Sequence, residues 1–174
     1  MDDKKITIAF GTDHAAAEVR GKFKEYLVYL GYNVEDFGFS GQGSCDYPDY
    51  AEKVARAVVE GKAQKGILIC GTGIGMSIAA NKVKGAIAAV AWDTDVAKLA
   101  AQHNNANILC MGSRTATLRD MCNMAKEFLQ FLNIKFAQKS IFSKNFLEFF
   151  LNAFIESPSK NCYFFCFKFF GLRG

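Results

Sequence analysis

The chain has 174 residues and a mass of 19.2 kDa, which is the size of one ordinary domain with a single core and, by default, a single site. Hydrophobic residues make up 51% and charged residues 22%, a balance that excludes a disordered or fibrous chain. The net charge of +4 arises in the tail, because residues 1–130 carry 15 basic and 15 acidic side chains and residues 131–174 carry 6 and 2; a neutral body lacks the clustered basic surface that nucleic acid requires.

In chain order, short apolar runs alternate with longer segments of helical period, as in parallel strands joined by crossover helices. A first strand is expected over Ile6–Gly11. The helix after it, Glu18–Leu30, places Val19, Phe23, Tyr26, Leu27 and Leu30 on one stripe and stops at Gly31. A second strand, Tyr32–Phe37, leads to a helix over Tyr50–Glu60 with Val54, Ala57 and Val58 inward and Gly61 as terminator. The third strand, Gly66–Cys70, runs into a glycine-rich turn and a helix that starts within Gly75–Asn81. Strands over Ala86–Trp92 and Asn107–Gly112 precede helices over Val96–Gln102 and Leu118–Leu132. All five strands are short and apolar enough to be buried on both faces. The order implies right-handed crossovers and ligands beyond the carboxyl ends of the strands. The expected architecture is α/β, a three-layer Rossmann-like sandwich around a five-stranded parallel sheet.

That domain should span residues 1–132, followed by an atypical tail, irregular or helical, over 133–174. Of the 17 phenylalanines, 12 fall after residue 130, and Phe164-Phe165-Cys166-Phe167-Lys168-Phe169-Phe170 has no clean period. Three readings of the tail stay open: an added packing segment, a membrane-surface or partner-binding segment, and read-through in a shifted frame. No apolar run reaches the roughly 18 to 20 residues of a bilayer-spanning helix. Met1-Asp2-Asp3-Lys4-Lys5 also lacks the apolar stretch of a secretory signal, so a cytoplasmic chain is expected. The six cysteines (45, 70, 110, 122, 162, 166) lack paired zinc-ligand spacing; free thiols and no metal are expected.

The most informative stretch is Gly66-Ile67-Leu68-Ile69-Cys70-Gly71-Thr72-Gly73-Ile74-Gly75-Met76-Ser77. Its alternating glycines let main-chain N–H groups converge at a helix N-terminus, which suits an anion. The spacing is neither that of a Walker loop nor that of the dinucleotide fingerprint. Cys70 closes the strand just before this cradle, where a thiolate is favoured, so it is a candidate base or nucleophile. Thr72 offers a hydroxyl to whatever the cradle holds. The first strand ends in Gly11-Thr12-Asp13-His14, a carboxylate and an imidazole on the edge that carries Cys70. The other histidine, His103, lies just before the fifth strand in Gln102-His103-Asn104-Asn105-Ala106-Asn107. Acid, base and anion binder together are what proton transfer on a polar substrate requires.

These segments, with Asp46-Tyr47-Pro48-Asp49-Tyr50-Ala51, the block from Ile69 through Lys82 and Gly112-Ser113-Arg114, resemble the type B ribose-5-phosphate isomerases, which share a larger family with the galactose-6-phosphate isomerase subunits. The match covers roughly residues 5–130. The resemblance implies an aldose–ketose isomerase of the pentose phosphate pathway that interconverts ribose 5-phosphate and ribulose 5-phosphate without metal or organic cofactor. By that resemblance Cys70 moves the proton between carbons 1 and 2 through an enediolate, and Thr72 assists at the sugar oxygens. His103 opens the furanose ring. Asp13, Asp46, Tyr47 and Asn104 hold sugar hydroxyls, and His14 and Arg114 hold phosphate. The amides of Gly71, Gly73 and Gly75 are expected to stabilise the developing oxyanion. The resemblance also implies a homodimer or tetramer with shared sites, the His103–Asn104 segment and the arginines facing the neighbour's Cys70.

Two departures stand out. A later family segment carries two phosphate-binding arginines whose places fall here near Gln138 and Phe142, and Lys84-Gly85-Ala86-Ile87-Ala88 replaces a segment that usually carries an arginine. Lys135, Lys139 or Lys144 would substitute only as point charges, without the planar fork. Weak substrate binding with intact proton transfer is the expectation. Two alternatives remain: isomerisation of a hexose 6-phosphate (allose or galactose), and a weakened or inactive homologue acting as a binding or structural protein.

Overall fold

A computed structural model describes residues 5–132 of the chain; the phenylalanine-rich tail and positions 138 and 142 lie outside the described residues. Five strands, β1 (Thr7–Thr12), β2 (Asn33–Asp36), β3 (Lys65–Cys70), β4 (Ala88–Val90) and β5 (Ile108–Gly112), pair in parallel in the order β2-β1-β3-β5-β4. The register sets Phe10 beside Ile67, Leu68 beside Cys110 and Cys70 beside Gly112. The Rossmann-like α/β architecture is as the sequence predicts. Residues up to Leu132 form one compact unit.

Alternation along the central strand divides the core. Ile67 and Ile69 face one layer, with Phe23 and Leu27 of α1 (Ala17–Tyr29), Ala97 of α4 (Thr94–Gln102), and Met121, Met124 and Phe128 of α5 (Leu118–Leu129). Leu68 and Cys70 face the other, with Val54 and Val58 of α2 (Tyr47–Val59) and Met76 and Ala80 of α3 (Ile74–Asn81). Cys70 therefore lies on the α2–α3 side of the sheet.

Two expectations need correction. Only the three inner strands β1, β3 and β5 are buried nearly throughout, whereas β2 alternates between exposed and half-buried and β4 is half-buried and three residues long. Both are edge strands with a single neighbour, and apolar composition does not decide which strand ends at an edge. Helix α2 also starts at Tyr47, three residues before the expected Tyr50, because Asp46 takes the extended N-cap conformation and Pro48 fits the first turn. Helix α5 ends at Leu129, with a 3-10 turn over Gln130–Leu132. Its start is fixed by a reciprocal capping box between Thr117 and Asp120.

The carboxyl end of β2 is held by charge. Asp36 receives Arg20 at 3.0 Å and Lys24 at 3.1 Å, and its Oδ1 accepts the Gly38 N–H at 2.9 Å. Arg20 also donates to the Phe39 carbonyl at 3.1 Å, so one guanidinium binds β2 and the loop beyond it to α1. Burial by itself raises the Asp36 carboxyl; the Gly38 amide, Arg20 and Lys24 outweigh it and hold the group below its ordinary value. A depressed folded value contributes stability that is present above the unfolded value of about 4 and is lost as pH falls through the folded one. Denaturant melts between pH 7 and 3 should show wild type losing this contribution at the acid end. Asp36→Asn should be about 1–2 kcal/mol less stable at neutral pH, with a shallower loss on acidification; equal acid slopes in both proteins would refute the assignment.

Candidate active site

Strand β3 delivers Cys70 buried at its carboxyl end, and the chain turns at once through Gly71, Thr72 and Gly73 into α3. Gly73 is the N-cap of α3 with φ +80°, a left-handed conformation that a side chain resists. The Gly73 N–H donates to Cys70 Sγ at 3.1 Å, the polarity that suits a sulfur bearing negative charge. The Thr72 hydroxyl oxygen accepts the Ile74 N–H at 3.4 Å, and Thr72 is exposed.

The neighbouring loops close around this turn. The Asp13 N–H donates to the Ile69 carbonyl at 3.2 Å, while Asp13 Oδ1 accepts the Ala15 N–H at 2.9 Å and caps a 3-10 turn over His14–Ala16. Just after β5, the N–H of Ser113 donates to the Cys70 carbonyl at 2.8 Å and that of Arg114 to the Gly71 carbonyl at 3.0 Å. The Ser113 hydroxyl lies 2.9 Å from the Ala15 carbonyl and 3.1 Å from that of Cys70, so one side chain joins the ends of β1, β3 and β5. The Arg114 guanidinium carbon lies 3.4 Å from where a Cβ on Gly71 would stand, and the Tyr47 ring 3.0 Å from where one on Gly75 would stand. Tyr47 and Gly75 border a groove of about 370 Å³ between α2 and α3, with Pro48, Arg56, Ile78 and Lys82 on its walls. Asp46 is exposed at the start of α2, and its side chain makes no capping bond.

The fold thus brings Asp13, His14, Asp46, Tyr47, Cys70, Gly71, Thr72, Gly73, Gly75 and Arg114 to the carboxyl edge of the sheet. His103 and Asn104 are elsewhere. His103 is the C-cap of α4, and the segment it opens leads into the amino end of β5, whereas Cys70 pairs with Gly112 at the carboxyl end. Five residues of strand, about 13 Å at 3.3 Å per residue, separate the two edges. The amino-edge segment is anchored from below, where the buried Lys65 ammonium donates to the Ala106 carbonyl and sits 4.5 Å over the Phe128 ring. Arg114 lies against the glycine turn of its own chain, where the resemblance implies arginines facing a neighbour.

Two other departures emerge. The Gly73 amide, one of the three expected oxyanion donors, donates here to the Cys70 sulfur. Behind Cys70, diagonally across the β3–β5 pair on the same face, Cys110 is fully buried, and burial first, then the nearness of Cys70, pushes its thiol far up. Cys110 is therefore a neutral packing thiol. Ser113 and Cys45 were missed as contributors: a serine directly after the glycine that ends β5 was the available signal for the first, and Cys45 carried none. No group of three or more His, Cys, Asp or Glu among the described residues has an arrangement that would hold a metal ion.

Residues 8–144 match the family model described as Ribose/Galactose Isomerase. The chain is 46% identical over 110-odd residues to ribose-5-phosphate isomerase B of Escherichia coli K12, covering 64% of this chain and 74% of the relative. It is 44% identical to D-erythrulose-4-phosphate isomerase of Pectobacterium atrosepticum, covering 63% and 72%. The structure of the Leishmania infantum type B ribose 5-phosphate isomerase superposes with a TM-score of 0.69 at 43% identity, covering 72% of this chain and 83% of that one.

The close approach of the β5 end to the β3–α3 turn yields a prediction. A Cβ on Gly112 would lie 2.8 Å from the Thr72 main chain and collide with the Thr115 hydroxyl, whereas one on Gly21, in the middle of α1, meets nothing within 4 Å. Gly112→Ala should cost about 1–3 kcal/mol through overpacking, and Gly21→Ala should add about 0.5–1 kcal/mol. Chemical denaturation of the two variants reads both effects, and a stable Gly112→Ala protein would contradict the contact.

Proposed function

The chain belongs to the ribose/galactose isomerase family, and from that premise we propose that this sugar phosphate isomerase interconverts ribose 5-phosphate and ribulose 5-phosphate, with Cys70 as the base. The observation that carries the proposal is the Cys70 sulfur at the carboxyl end of β3, held by the Gly73 N–H beside a ring of polar side chains.

In the proposed reaction the Cys70 sulfur takes the proton from carbon 2 of the open-chain aldose. The C–H electron pair moves into the carbon 1–carbon 2 bond, and the carbonyl oxygen becomes an enediolate oxyanion that the Gly71 and Gly75 amides receive. One such donor is worth roughly 3–4 kcal/mol in other enzymes. The Thr72 hydroxyl passes a proton between the two sugar oxygens, and the S–H returns its hydrogen to carbon 1 to give the ketose. No electrons leave the sugar, so no redox cofactor is needed. Asp13, Asp46 and Tyr47 are assigned to the hydroxyls, and His14 and Arg114 to the phosphate, Arg114 with its planar fork.

Ring opening is assigned to His103, with Asn104 beside it, and in this reading they act on the Cys70 of a second copy, which their place at the opposite sheet edge supports. A homodimer, or a tetramer built from it, with sites shared between subunits is therefore part of the proposal. Support comes from apolar side chains without cover on the described chain: Ile74 at 55% and Ile78 at 57% exposure on one face of α3, and Trp92 at 66% after β4. No helix among the described residues is long and apolar enough to cross a membrane. The substrate is one of a cytoplasmic pentose phosphate step, and the catalytic domain is taken as residues 1–132.

Side-by-side rates on ribose 5-phosphate, allose 6-phosphate, galactose 6-phosphate and D-erythrulose 4-phosphate test the sugar, with ribose 5-phosphate expected to give the highest kcat/KM. Cys70→Ala should lower kcat by about 10²–10⁴; a variant at wild-type rate would remove the mechanism, and inactivity of both proteins on every sugar would favour the weakened homologue. If Gln138 and Phe142 stand where phosphate arginines belong, Gln138→Arg with Phe142→Arg should lower KM several-fold with kcat little changed. An unaltered KM would show that those positions do not face the substrate.

A further inference from the structure

Cys45 lies in the loop before α2, outside the expected machinery, yet its main-chain N–H points to His14 Nδ1 at 3.3 Å and its sulfur lies 3.7 Å from the same nitrogen. An amide hydrogen only donates, so Nδ1 must accept. A neutral imidazole has one accepting and one protonated nitrogen, and the hydrogen is thereby placed on Nε2. We propose that the Cys45 main-chain amide is a positioning group that fixes His14 as the Nε2–H tautomer, making it a hydrogen-bond donor towards the anionic end of the substrate and removing it as a competing base.

The chemistry on the two sides of the ring agrees with this. A donor suits a phosphate oxygen, whereas a lone pair on Nε2 would repel it. The one ring nitrogen left with a lone pair is occupied by the Cys45 amide, which takes His14 out of competition with Cys70 for a substrate proton. The thiol of Cys45 reinforces the arrangement. Burial pushes it up against the opposing pull of a hydrogen bond from the His14 main chain, and the carboxylates of Asp13, Asp46 and Asp49 add to the rise, which favours a neutral S–H beside the ring. The contact also spans 31 residues, joining the end of β1 to the start of α2, and so couples the ring's orientation to the placement of Asp46 and Tyr47. The assignment of a phosphate role to His14 rests on the function proposed above; the tautomer does not.

The chain has two histidines, so nitrogen-15 correlation spectra of the imidazole rings in the full-length protein can be assigned with His103→Gln alone. The expected pattern for His14 is an unprotonated Nδ1 and a protonated Nε2, retained in Cys45→Ala, which keeps the amide, and lost in Cys45→Pro, which lacks it. A protonated Nδ1 in wild type, the averaged pattern of a free imidazole, or loss of the tautomer in Cys45→Ala would each overturn the proposal, the last by assigning the hold to sulfur. The wild-type and alanine spectra decide the matter even if the proline variant does not fold. Titration with inorganic phosphate separates the two claims: a shift at Nε2 supports both. An intact tautomer without any response upholds the amide's hold on the ring and removes phosphate from the role of His14.

Discussion

The polarity of a parallel sheet is the constraint on which the rest of this molecule depends. Because every strand runs the same way, residues that follow strands gather at one edge and residues that precede them gather at the other. Cys70 ends β3, Asp13 and Arg114 follow β1 and β5, and His103 and Asn104 precede β5. No rotation of a side chain carries His103 across the sheet to the glycine turn of its own chain. A chemistry that needs both groups is therefore divided by the fold itself, and a second copy of the chain becomes the natural source of the missing half. The isoleucines Ile74 and Ile78 of α3, which begins at that turn, are more than half exposed on the described chain.

Within the edge that is complete, geometry is imposed by close packing of main chain on main chain. Gly73 allows the left-handed turn that opens α3, and Gly112 allows β5 to approach the Thr72 backbone. Ser113 then ties the ends of β1, β3 and β5 together through the Ala15 and Cys70 carbonyls. These contacts fix the turn after β3 against its neighbours, which is what the proposed role of Cys70 demands. The same packing gives the sulfur an amide of its own, a detail that an undifferentiated run of glycines does not convey.

Much of this was legible in the sequence. The inner strands announce themselves as continuous apolar runs, and the Cys70-to-Ser77 stretch states its purpose through residue type, since alternating glycines after a buried strand serve few other ends. The edge strands are shorter and less buried than their composition implies, because the position of β2 and β4 at the margins depends on sheet order. The extended Asp46 and the first-turn Pro48 set an earlier start for α2 than hydrophobic period suggested. Ser113 stood in a recognised motif without a role until its hydroxyl was seen between two carbonyls. Cys45 offered nothing to a reader of sequence, for its contribution is a main-chain N–H that any residue but proline possesses. The separation of His103 from Cys70 was implicit in the strand order, and its size became clear only from the β3–β5 register.

The division of the site between two edges is tested most directly by mixing two crippled proteins. Cys70→Ala and His103→Ala are each expected to be nearly inactive. After subunit exchange in an equimolar mixture, half of the dimers carry one intact site built from complementary halves, so roughly a quarter of wild-type activity should return. A mixture no more active than its components, under conditions where exchange is shown by mass, would contradict the account.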